Sequence, residues 1–461
     1  MLGIGWVQAE TTLRIATFNT SMNRSRAGLL VEDLKNPQRT SAGQIARVAE
    51  IIQTVRPEIL FLNEVDYDAQ GEGLALFQSN FLAVGQNGKE PIDYPFRYTA
   101  ESNTGLASGQ DLDNNRQVGE KPETSAYAGD AFGFGAFPGQ YGMAILSKHP
   151  IEVSAVRTFQ HFLWNDMPGA LLPNGRQNSP NWYTEEESAI FRLSSKSHWD
   201  VPIRVGDQLI HLLVSHPTPP VFDGQEDRNG RRNHDEIRLW ADFIDPDKAH
   251  YIYDDNGLVG GLQAKDRFII MGDLNADPND GDSYPGTANQ LLEHPLVNTT
   301  IIPTGPGGTQ VADRDHHSDP ASDTADFRSG NLRADYALPS KSGWDITKAA
   351  VFWPETTDSI SATVRGASDH RLVYLDLTLG EISPTPPVRE LVLTRSDERV
   401  ELRWKPLPNQ RYEVAWSDDL KTLWNVKPPL EISVKDGHAL AVDNKLPTFG
   451  KRFYRVTAKK R

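Results

Sequence analysis

Polar side chains recur in this sequence next to apolar runs that predict strands. They are Asn19, Glu64, His216, Asp273, Asn275, Asp335, Asp369 and His370. Strand ends of an α/β scaffold can gather such groups from distant parts of the chain. Singly, each has a simpler explanation, because Asn and Asp favour turns and a lone histidine is usually a surface or core residue. Together they supply the chemistry that metal-assisted cleavage of a phosphoester requires.

Metal binding and water activation fall to three of these residues. A hard divalent cation prefers carboxylate and amide oxygens, and Glu64 and Asn19 provide one of each. The attacking water must be aligned and deprotonated, which suits the carboxylate of Asp273. Because the chain has no cysteine, disulfides and thiolate zinc sites are excluded. Mg²⁺ is the expected ion, with Mn²⁺ and Ca²⁺ as alternatives.

The other members of the set suit the charge that develops on the phosphoryl group. Asn275, His216 and His370 can donate hydrogen bonds to the phosphoryl oxygens. Asp335 can fix the tautomer of His370 and raise its basicity. Each role in the reaction therefore has a candidate residue.

Apolar β-type runs alternate with helical patterns through the first four fifths of the chain. The predicted strands are Leu13–Phe18, Ile59–Asn63, Met143–Ser147, Leu209–Ser215, Phe268–Gly272, Ala334–Ala337, Ala349–Phe352 and Leu372–Leu379. Helices are predicted at Ser41–Val55 and at His234–Ile244. Several strands are apolar on both faces, which indicates an α/β domain. Two long polar stretches, 101–138 and 158–200, are expected to be substrate-binding insertions.

The net charge of −15 over 461 residues is distributed unevenly. Residues 1–387 carry −21 and residues 388–461 carry +6, so two units are expected. A Pro-rich segment at 381–387 predicts an extended linker between them. Short strands at regular spacing in the tail predict a small all-β sandwich. The composition excludes a fibrous protein, and no apolar run is long enough to predict a membrane span.

Seven motifs in order resemble those of the endonuclease/exonuclease/phosphatase superfamily. They are Thr17-Phe-Asn19, Leu62-Asn-Glu64-Val, Tyr141-Gly-Met, Val214-Ser-His216, Gly272-Asp273-Leu-Asn275, Arg333-Ala-Asp335-Tyr and Ser368-Asp369-His370. The resemblance covers residues 12–380 and implies a four-layered α/β sandwich, with two mixed sheets packed face to face and helices outside. It also implies Mg²⁺-dependent hydrolysis of a P–O bond. The tail, residues 388–461, looks like a fibronectin type III-like module, which implies spacing or adhesion.

The resemblance also implies a role for each motif residue. Asn19 and Glu64 bind the metal with Asp369 near it, and Asp273 aligns the water. Asn275 and His216 contact the phosphate and the leaving group, and Asp335 pairs with His370. The sequence departs from the deoxyribonuclease and sphingomyelinase branches after His216, where a proline-rich loop replaces the usual leucine.

Four residues are candidates for substrate binding. Tyr141 belongs to one of the superfamily motifs. Arg228, Arg231 and Arg232 follow His216, and their guanidinium groups could grip additional phosphate. The alternative is a surface loop that is neutralised by its own acidic residues.

The acidic first unit does not favour sequence-specific binding of nucleic acid. We predict a phosphoesterase that acts on a small or lipid-like phosphate ester, with a non-specific extracellular nuclease as the alternative. A non-catalytic binding or adhesion protein is the second alternative, although all motif side chains are retained. The second insertion holds aromatic residues that belong either to a lipid-binding hairpin or to buried packing. They are Phe162, Trp164, Trp182, Tyr183 and Trp199.

Three further features carry weaker expectations. Residues 1–11 begin with an apolar stretch that ends in Val7-Gln8-Ala9, which is either a signal-peptide remnant or an ordinary terminus. A secreted or periplasmic monomer is the resulting expectation. Asp111–Asn115 has the oxygen density of a calcium loop, and His316 with its acidic neighbours is either a metal site or an exposed acidic turn.

Deletion of Val388–Arg461 is expected to leave the turnover of a soluble substrate unchanged, because the motif residues all precede the linker. The measurement is kcat of the truncated and the full-length chain. A large loss of kcat would contradict the treatment of the tail as an appendage.

Overall fold

The computed structural model describes two units of the chain. Its residues are 12–175, 181–263, 265–311, 316–327 and 330–379, and in the tail 389–395, 399–405, 410–417, 432–435, 438–443 and 453–460. The predicted signal-peptide remnant (1–11) and linker (381–387) lie outside the described residues. The chain divides into compact units at Met1–Glu381 and Ile382–Arg461.

The first unit alternates strands and helices. Its strands are β1 (Thr12–Asn19), β2 (Ile59–Asn63), β3 (Phe96–Tyr98), β4 (Met143–Ser147), β5 (Arg157–Thr158), β6 (His198–Val205), β7 (Gln208–Ser215), β8 (Arg267–Asp273), β9 (Ala325–Phe327), β10 (Gly330–Leu332), β11 (Asp335–Pro339), β12 (Trp344–Val351) and β13 (Val373–Leu379). Its α-helices are α1 (Leu29–Lys35), α2 (Ala42–Val55), α3 (Glu72–Phe77), α4 (Ser125–Gly129), α5 (Glu185–Ser188), α6 (Arg228–Phe243), α7 (Asn289–Leu292), α8 (Pro306–Gln310) and α9 (Ser361–Ala367). A π-helix covers Gln78–Leu82, and 3₁₀ turns cover Val153–Ala155, Trp164–Asp166, Ala249–Tyr251 and Pro320–Ser322.

Two mixed sheets form the centre of this unit. The first has the order β12-β13-β1-β2-β4-β3 and the second β11-β8-β7-β6-β5. Pairing is parallel between β1 and β2 and between β7 and β8, and the other neighbours are antiparallel. Strands β9 and β10 form a separate hairpin. The predicted four-layered α/β sandwich is confirmed, with helices outside both sheets.

Alternation of side chains along the central strands builds three layers of core. Ile15 of β1 and Met271 of β8 point into the core shared by the two sheets. Phe18 of β1 packs on the other face with Ile52 of α2, and Ile270 of β8 packs with α6. Strands apolar on both faces therefore lie where the sequence predicted a doubly covered sheet.

Two elements next to the site differ from the predictions, and in both the apolar pattern is interrupted by buried polar residues. Helix α6 begins at Arg228 rather than at His234, because Arg232 and Asn233 in its first turns are polar yet buried. Strand β6 lies partly in a stretch that was predicted to be an insertion. The aromatic residues of that insertion, for which a lipid-binding hairpin and buried packing were the alternatives, are buried and therefore pack in the core. They are Phe162, Trp164, Trp182, Tyr183 and Trp199.

The tail unit is all-β in the part that the structure describes. Its strands are β14 (Arg389–Arg395), β15 (Val400–Lys405), β16 (Gln410–Ser417), β17 (Ile432–Lys435), β18 (His438–Asp443) and β19 (Phe453–Lys460). One antiparallel sheet has the order β14-β15-β18-β17, and β16 pairs with β19. Trp404 and Leu402 lie in a small apolar core. The prediction of an all-β tail is confirmed.

His198 joins β6 to α6 and is held without charge. Its Nε2 donates to the Glu236 carbonyl at 2.8 Å, and its Nδ1 accepts from the Ser194 hydroxyl at 2.6 Å. Burial lowers the pKa of His198 to about 3, although the hydrogen bond to Glu236 opposes the shift.

The pH dependence of folding stability should report this histidine. An unfolded histidine titrates near pH 6.5, so between about pH 6.5 and pH 3 the unfolded chain binds a proton that the folded chain does not. The free energy of unfolding should therefore fall as the pH is lowered, by about 1.4 kcal/mol per pH unit from this group. His198→Gln should show a shallower slope in guanidinium unfolding between pH 4 and pH 6.5, and the exposed His317→Gln should not. Equal slopes in the wild type and His198→Gln would contradict the assignment.

Candidate active site

Sheet topology brings the predicted site residues to one end of the sandwich. Asn19 is the last residue of β1, Glu64 follows β2 and Asp273 is the last residue of β8. His216 follows β7, the parallel neighbour of β8. Asp335 begins β11 and pairs directly with Asp273. Because these strand ends lie at the same end of the sandwich, residues that are hundreds of positions apart in the sequence meet there.

The Asn19 amide connects the two sheets. Its Nδ2 donates to Glu64 Oε1 at 3.1 Å and to Asp273 Oδ2 at 3.0 Å. Its Oδ1 accepts the backbone N–H of Ser21 at 3.2 Å, which orients the amide group. One side chain from the first sheet therefore holds a carboxylate of each sheet.

Two imidazoles approach the same oxygen of Asp273. His216 Nε2 lies 3.4 Å from Asp273 Oδ2, and His370 Nε2 lies 3.6 Å from it. Asp335 Oδ2 lies 2.8 Å from His370 Nδ1 and also accepts from the Thr324 hydroxyl at 2.8 Å. The structure thus brings Asp335 behind His370, where the sequence analysis predicted it.

The two imidazoles differ in protonation because their surroundings differ. Burial lowers the pKa of His370, but the carboxylates of Asp335 and Asp273 outweigh burial and raise it well above its usual range. Burial, together with the charge of Lys196, lowers the pKa of His216 to about 4. His370 is therefore an imidazolium at neutral pH and His216 a neutral imidazole.

Asp273 remains a carboxylate despite its burial. Burial raises the pKa of Asp273, but the charge of His370 and hydrogen bonds from His216 and Asn19 outweigh it, so the pKa lies below its usual range. Its Oδ1 accepts the backbone N–H of Asn275 at 2.9 Å. Asn275 Nδ2 in turn donates to the Pro217 carbonyl at 3.1 Å, beside His216.

The backbone is left-handed at three predicted site residues. The φ angles are +60° at Glu64, +55° at Tyr141 and +51° at Asn275. Such angles are uncommon outside glycine and cluster at functional sites. The backbone N–H of Tyr141 donates to Asp66 Oδ1 at 3.2 Å, and the charges of Glu64 and Asp66 add to burial in raising the pKa of the Tyr141 hydroxyl. Tyr141 therefore lies beside the carboxylates of the site.

The donor set at this end of the sandwich fits a hard divalent cation. Asp273, Asp335 and His370 have atoms that all lie within 4.8 Å of one another, but His370 is protonated there, so the ligands available to such an ion are the neighbouring carboxylates and the Asn19 amide oxygen. Burial raises the pKa of Glu64, and the charges of Asp273 and Asp369 raise it further. Asp335 Oδ1 is buried and has no hydrogen-bond partner among the described residues. Buried carboxylates that repel one another, with an unpartnered oxygen, call for a cation.

Asp369 is the exposed member of the predicted metal set. Its Oδ1 accepts from the Ser21 hydroxyl at 2.8 Å, and Ser21 also holds the Asn19 amide. Asp369 therefore lies next to the Asn19–Glu64 pair at the mouth of the site.

The predicted arginine cluster differs from the expectation, because its guanidinium groups are engaged by the fold. Arg232 is buried and donates to the carbonyls of Phe132, Arg192 and Leu193 at 2.6–3.0 Å. Arg228 pairs with Glu226. The remaining contacts are Arg228 over the Trp182 ring, Arg231 over the Tyr284 ring and Arg231 Nε to the Glu226 carbonyl. Arg232 in particular anchors α6 and is not available to a phosphate.

At the two weaker candidate metal sites, around His316 and around Asp111, the side chains contact other residues of the chain. His316 is not in an exposed turn, because its side chain is 6% exposed and its nitrogens lie 3.5 Å from Asp280 and 3.2 Å from Asp323. Asp111 and Asp113 lie near Asp130, in a group whose ligand atoms are within 4.8 Å of one another. Asp111 and Asp113 accept backbone N–H groups of their own loop.

Sequence reasoning missed two buried charges at the site, Lys196 and Glu236. Lys196 precedes β6, and Glu236 lies on α6. The sequence analysis placed the start of α6 six residues too late and did not predict β6 as a strand. The alternation of Trp199, Val201 and Ile203 in β6 was the signal that could have revealed Lys196 as a residue at a strand end.

Comparison with known proteins agrees with this geometry. The family model described as the endonuclease/exonuclease/phosphatase family matches residues 16–370. The chain belongs to this family. Members of the family are hydrolases that act on phosphoesters.

Solved structures with a similar fold have low sequence identity to the chain. An endonuclease/exonuclease/phosphatase from Beutenbergia cavernae is 16% identical, covers 97% of this chain and 100% of its own, and has a TM-score of 0.44. Sphingomyelinase C from Streptomyces griseocarneus is 16% identical over 79% and 99%, with a TM-score of 0.39. The human Nocturnin catalytic domain is 13% identical over 81% and 97%, also with a TM-score of 0.39. No curated protein sequence matches the chain.

Metal binding should be visible in thermal unfolding without any substrate. Mn²⁺ or Mg²⁺ at about 100 times its Kd should stabilise the wild type by about 2.7 kcal/mol. Glu64→Gln keeps an oxygen for the Asn19 amide but removes the charge, so we expect a similar Tm in chelator and little rise with the metal. Exposed Glu293→Gln is the matched control and should respond like the wild type. A wild-type Tm that is the same with metal and with chelator would contradict the proposed metal site.

Proposed function

We propose that this chain is a divalent-metal-dependent phosphoesterase that hydrolyses a P–O bond of a small or lipid-like phosphate ester by in-line attack of an activated water. The observation that carries the proposal is the convergence on Asp273 Oδ2 of the Asn19 amide at 3.0 Å and of two imidazoles at 3.4 and 3.6 Å. One carboxylate oxygen surrounded by three nitrogens is suited to orienting a water for attack.

The metal and the water have separate places in this proposal. Glu64, Asn19 and Asp369 would hold Mg²⁺, which supplies positive charge for the phosphoryl oxygens when bound. Asp273 aligns the water by accepting a hydrogen bond from it, a role that needs the ionised carboxylate. The lowered pKa of Asp273 keeps it ionised.

The imidazoles act on the phosphoryl group. His370, a cation held by Asp335 at 2.8 Å, lies where negative charge develops in the transition state. His216 is neutral, and its buried Nδ1 has no partner among the described residues. Its Nε2, which lies 3.4 Å from Asp273 Oδ2, is the nitrogen that we propose contacts the phosphate ester or its leaving group.

The electrostatics of the unit favour a small or lipid-like ester over nucleic acid. Residues 1–387 carry a net charge of −21, which repels a polyanion at long range. Arg232, the most buried of the predicted phosphate-binding arginines, is bonded to backbone carbonyls. Among the described residues no helix is both long and apolar enough to cross a bilayer.

Three properties of the whole chain remain proposals. We propose that the tail is fibronectin type III-like, which its strand order supports: lettered along the chain, the strands form an A-B-E-D sheet and a C-F pair. We also propose export to the periplasm or medium, which the apolar N-terminal sequence suggests and cell fractionation tests; that the chain is a monomer is a separate proposal, tested by size-exclusion chromatography with light scattering.

The proposed reaction is tested with bis-p-nitrophenyl phosphate and p-nitrophenyl phosphate, each with Mg²⁺ and then with chelator. We expect chelator-sensitive hydrolysis, and His370→Ala should lower kcat about 10²- to 10⁴-fold because it removes the charge beside the phosphoryl group. His317→Ala is the matched control, since that imidazole is exposed and pairs with Asp280 instead.

The two substrates separate the remaining alternatives. A preference for the diester would favour a lipid-like diester or a nuclease, which plasmid and phosphocholine substrates then distinguish. A preference for the monoester would identify a phosphatase. Absence of metal-dependent turnover of all of these substrates would contradict the proposal and favour a binding protein.

A further inference from the structure

Lys196 is a buried cation at the candidate active site, in the loop just before β6. The residue is 6% exposed, comparable with His216 at 3% and His370 at 4%. Its Nζ donates to the Pro217 carbonyl at 3.4 Å, and among the described residues this is its one hydrogen bond. A buried ammonium with three donors and one long hydrogen bond is incompletely satisfied.

The position of the ammonium is defined by its neighbours. The Pro217 carbonyl also accepts from Asn275 Nδ2 at 3.1 Å, so Lys196 and Asn275 are directed at one atom. Pro217 directly follows His216. Lys196 Nζ therefore lies beside His216 and Asn275, the two residues to which the family resemblance gives contacts with the phosphate and the leaving group.

The charge of Lys196 acts on the same group of residues. Burial lowers the pKa of Lys196, and the carboxylates of Glu236, Asp273 and Glu64 oppose this shift. Lys196 in turn contributes to the low pKa of His216. The net shift of the Lys196 pKa is downward, and the three carboxylates counteract part of the effect of burial.

Glu236 fixes the loops that carry these residues. Its Oε1 accepts the backbone N–H of Ser195 at 2.6 Å, and its Oε2 accepts that of Thr218 at 2.7 Å. The Ser195 hydroxyl also donates to the His216 carbonyl at 3.3 Å. The carboxylate on α6 therefore joins the Lys196 loop to the loop after β7, which makes Glu236 a positioning residue.

We propose that Lys196 is a further catalytic residue, whose ammonium donates to a non-bridging oxygen of the phosphoryl group as the P–O bond breaks. The proposal rests on the phosphoesterase function proposed above. A cation fixed in a buried site stabilises developing negative charge without reorganisation, and loss of one such donor costs about 10²- to 10³-fold in kcat.

The test compares Lys196→Met and Lys196→Gln with exposed Lys341→Met in the full chain. Lys196→Gln removes the charge but keeps a polar hydrogen-bond donor on a side chain one bond shorter, so it tests the proposal even if Lys196→Met fails to fold. We expect both Lys196 variants to lose about 100-fold or more in kcat, with a smaller change in KM. Lys341→Met should match the wild type.

Two binding measurements separate a catalytic from a structural role. Binding of inorganic phosphate in the presence of Mg²⁺, measured by calorimetry, should weaken about tenfold or more in Lys196→Gln. Binding of Mn²⁺ alone should be unchanged or tighter, because a positive charge near Glu64 and Asp273 has been removed. A disrupted site would bind Mn²⁺ more weakly.

The outcomes distinguish this inference from the proposed function. A wild type that turns over a phosphoester while Lys196→Gln keeps kcat and phosphate binding within threefold overturns the role of Lys196 alone. Weaker Mn²⁺ binding together with the lower kcat overturns it in favour of a structural role. A wild type with neither turnover nor phosphate binding overturns the proposed function and this inference with it.

Discussion

Several carboxylates are gathered at a buried junction between the two sheets, and the rest of the site supplies the hydrogen-bond donors and positive charge that they need. A buried charge without a partner is strongly unfavourable. The Asn19 amide stabilises two of these carboxylates by donating hydrogen bonds to Glu64 and to Asp273, one from each sheet. Asp273 is further stabilised by the nearby imidazolium of His370 and by the backbone N–H of Asn275. The position of one sheet on the other therefore depends on these polar contacts as well as on the apolar core between them.

Much of this arrangement could be predicted from the sequence, because it lies at the ends of apolar strands. The strand patterns around Asn19, Glu64 and Asp273 have the right periodicity, and the topology of an α/β sandwich then places their ends together. The pairing of Asp335 with His370 followed from chemistry alone. The sequence pattern does not contain the distance between the sheets. It therefore could not predict that both histidines approach one oxygen of Asp273.

The failures have a common physical cause, which is buried polar side chains. Arg232 and Glu236 lie on the inner face of α6, so the helix lacks the apolar stripe by which its first two turns would be recognised. An arginine in a charged segment was interpreted as a phosphate ligand, whereas its guanidinium satisfies three carbonyls. Lys196 was overlooked for the same reason. Such residues are satisfied by tertiary contacts, which local sequence does not encode.

The charge at the site also bears on how a substrate can enter it. Glu64, Asp273 and Asp369 bring acidic groups to the place where the proposed function puts an anionic phosphate; His370 is a cation beside them, and Lys196 lies nearby. His216 is held neutral and adds no charge. Under the proposed function, a phosphate ester meets repulsion at this place until a divalent cation is present. The metal would then contribute to substrate binding as well as to the chemical step.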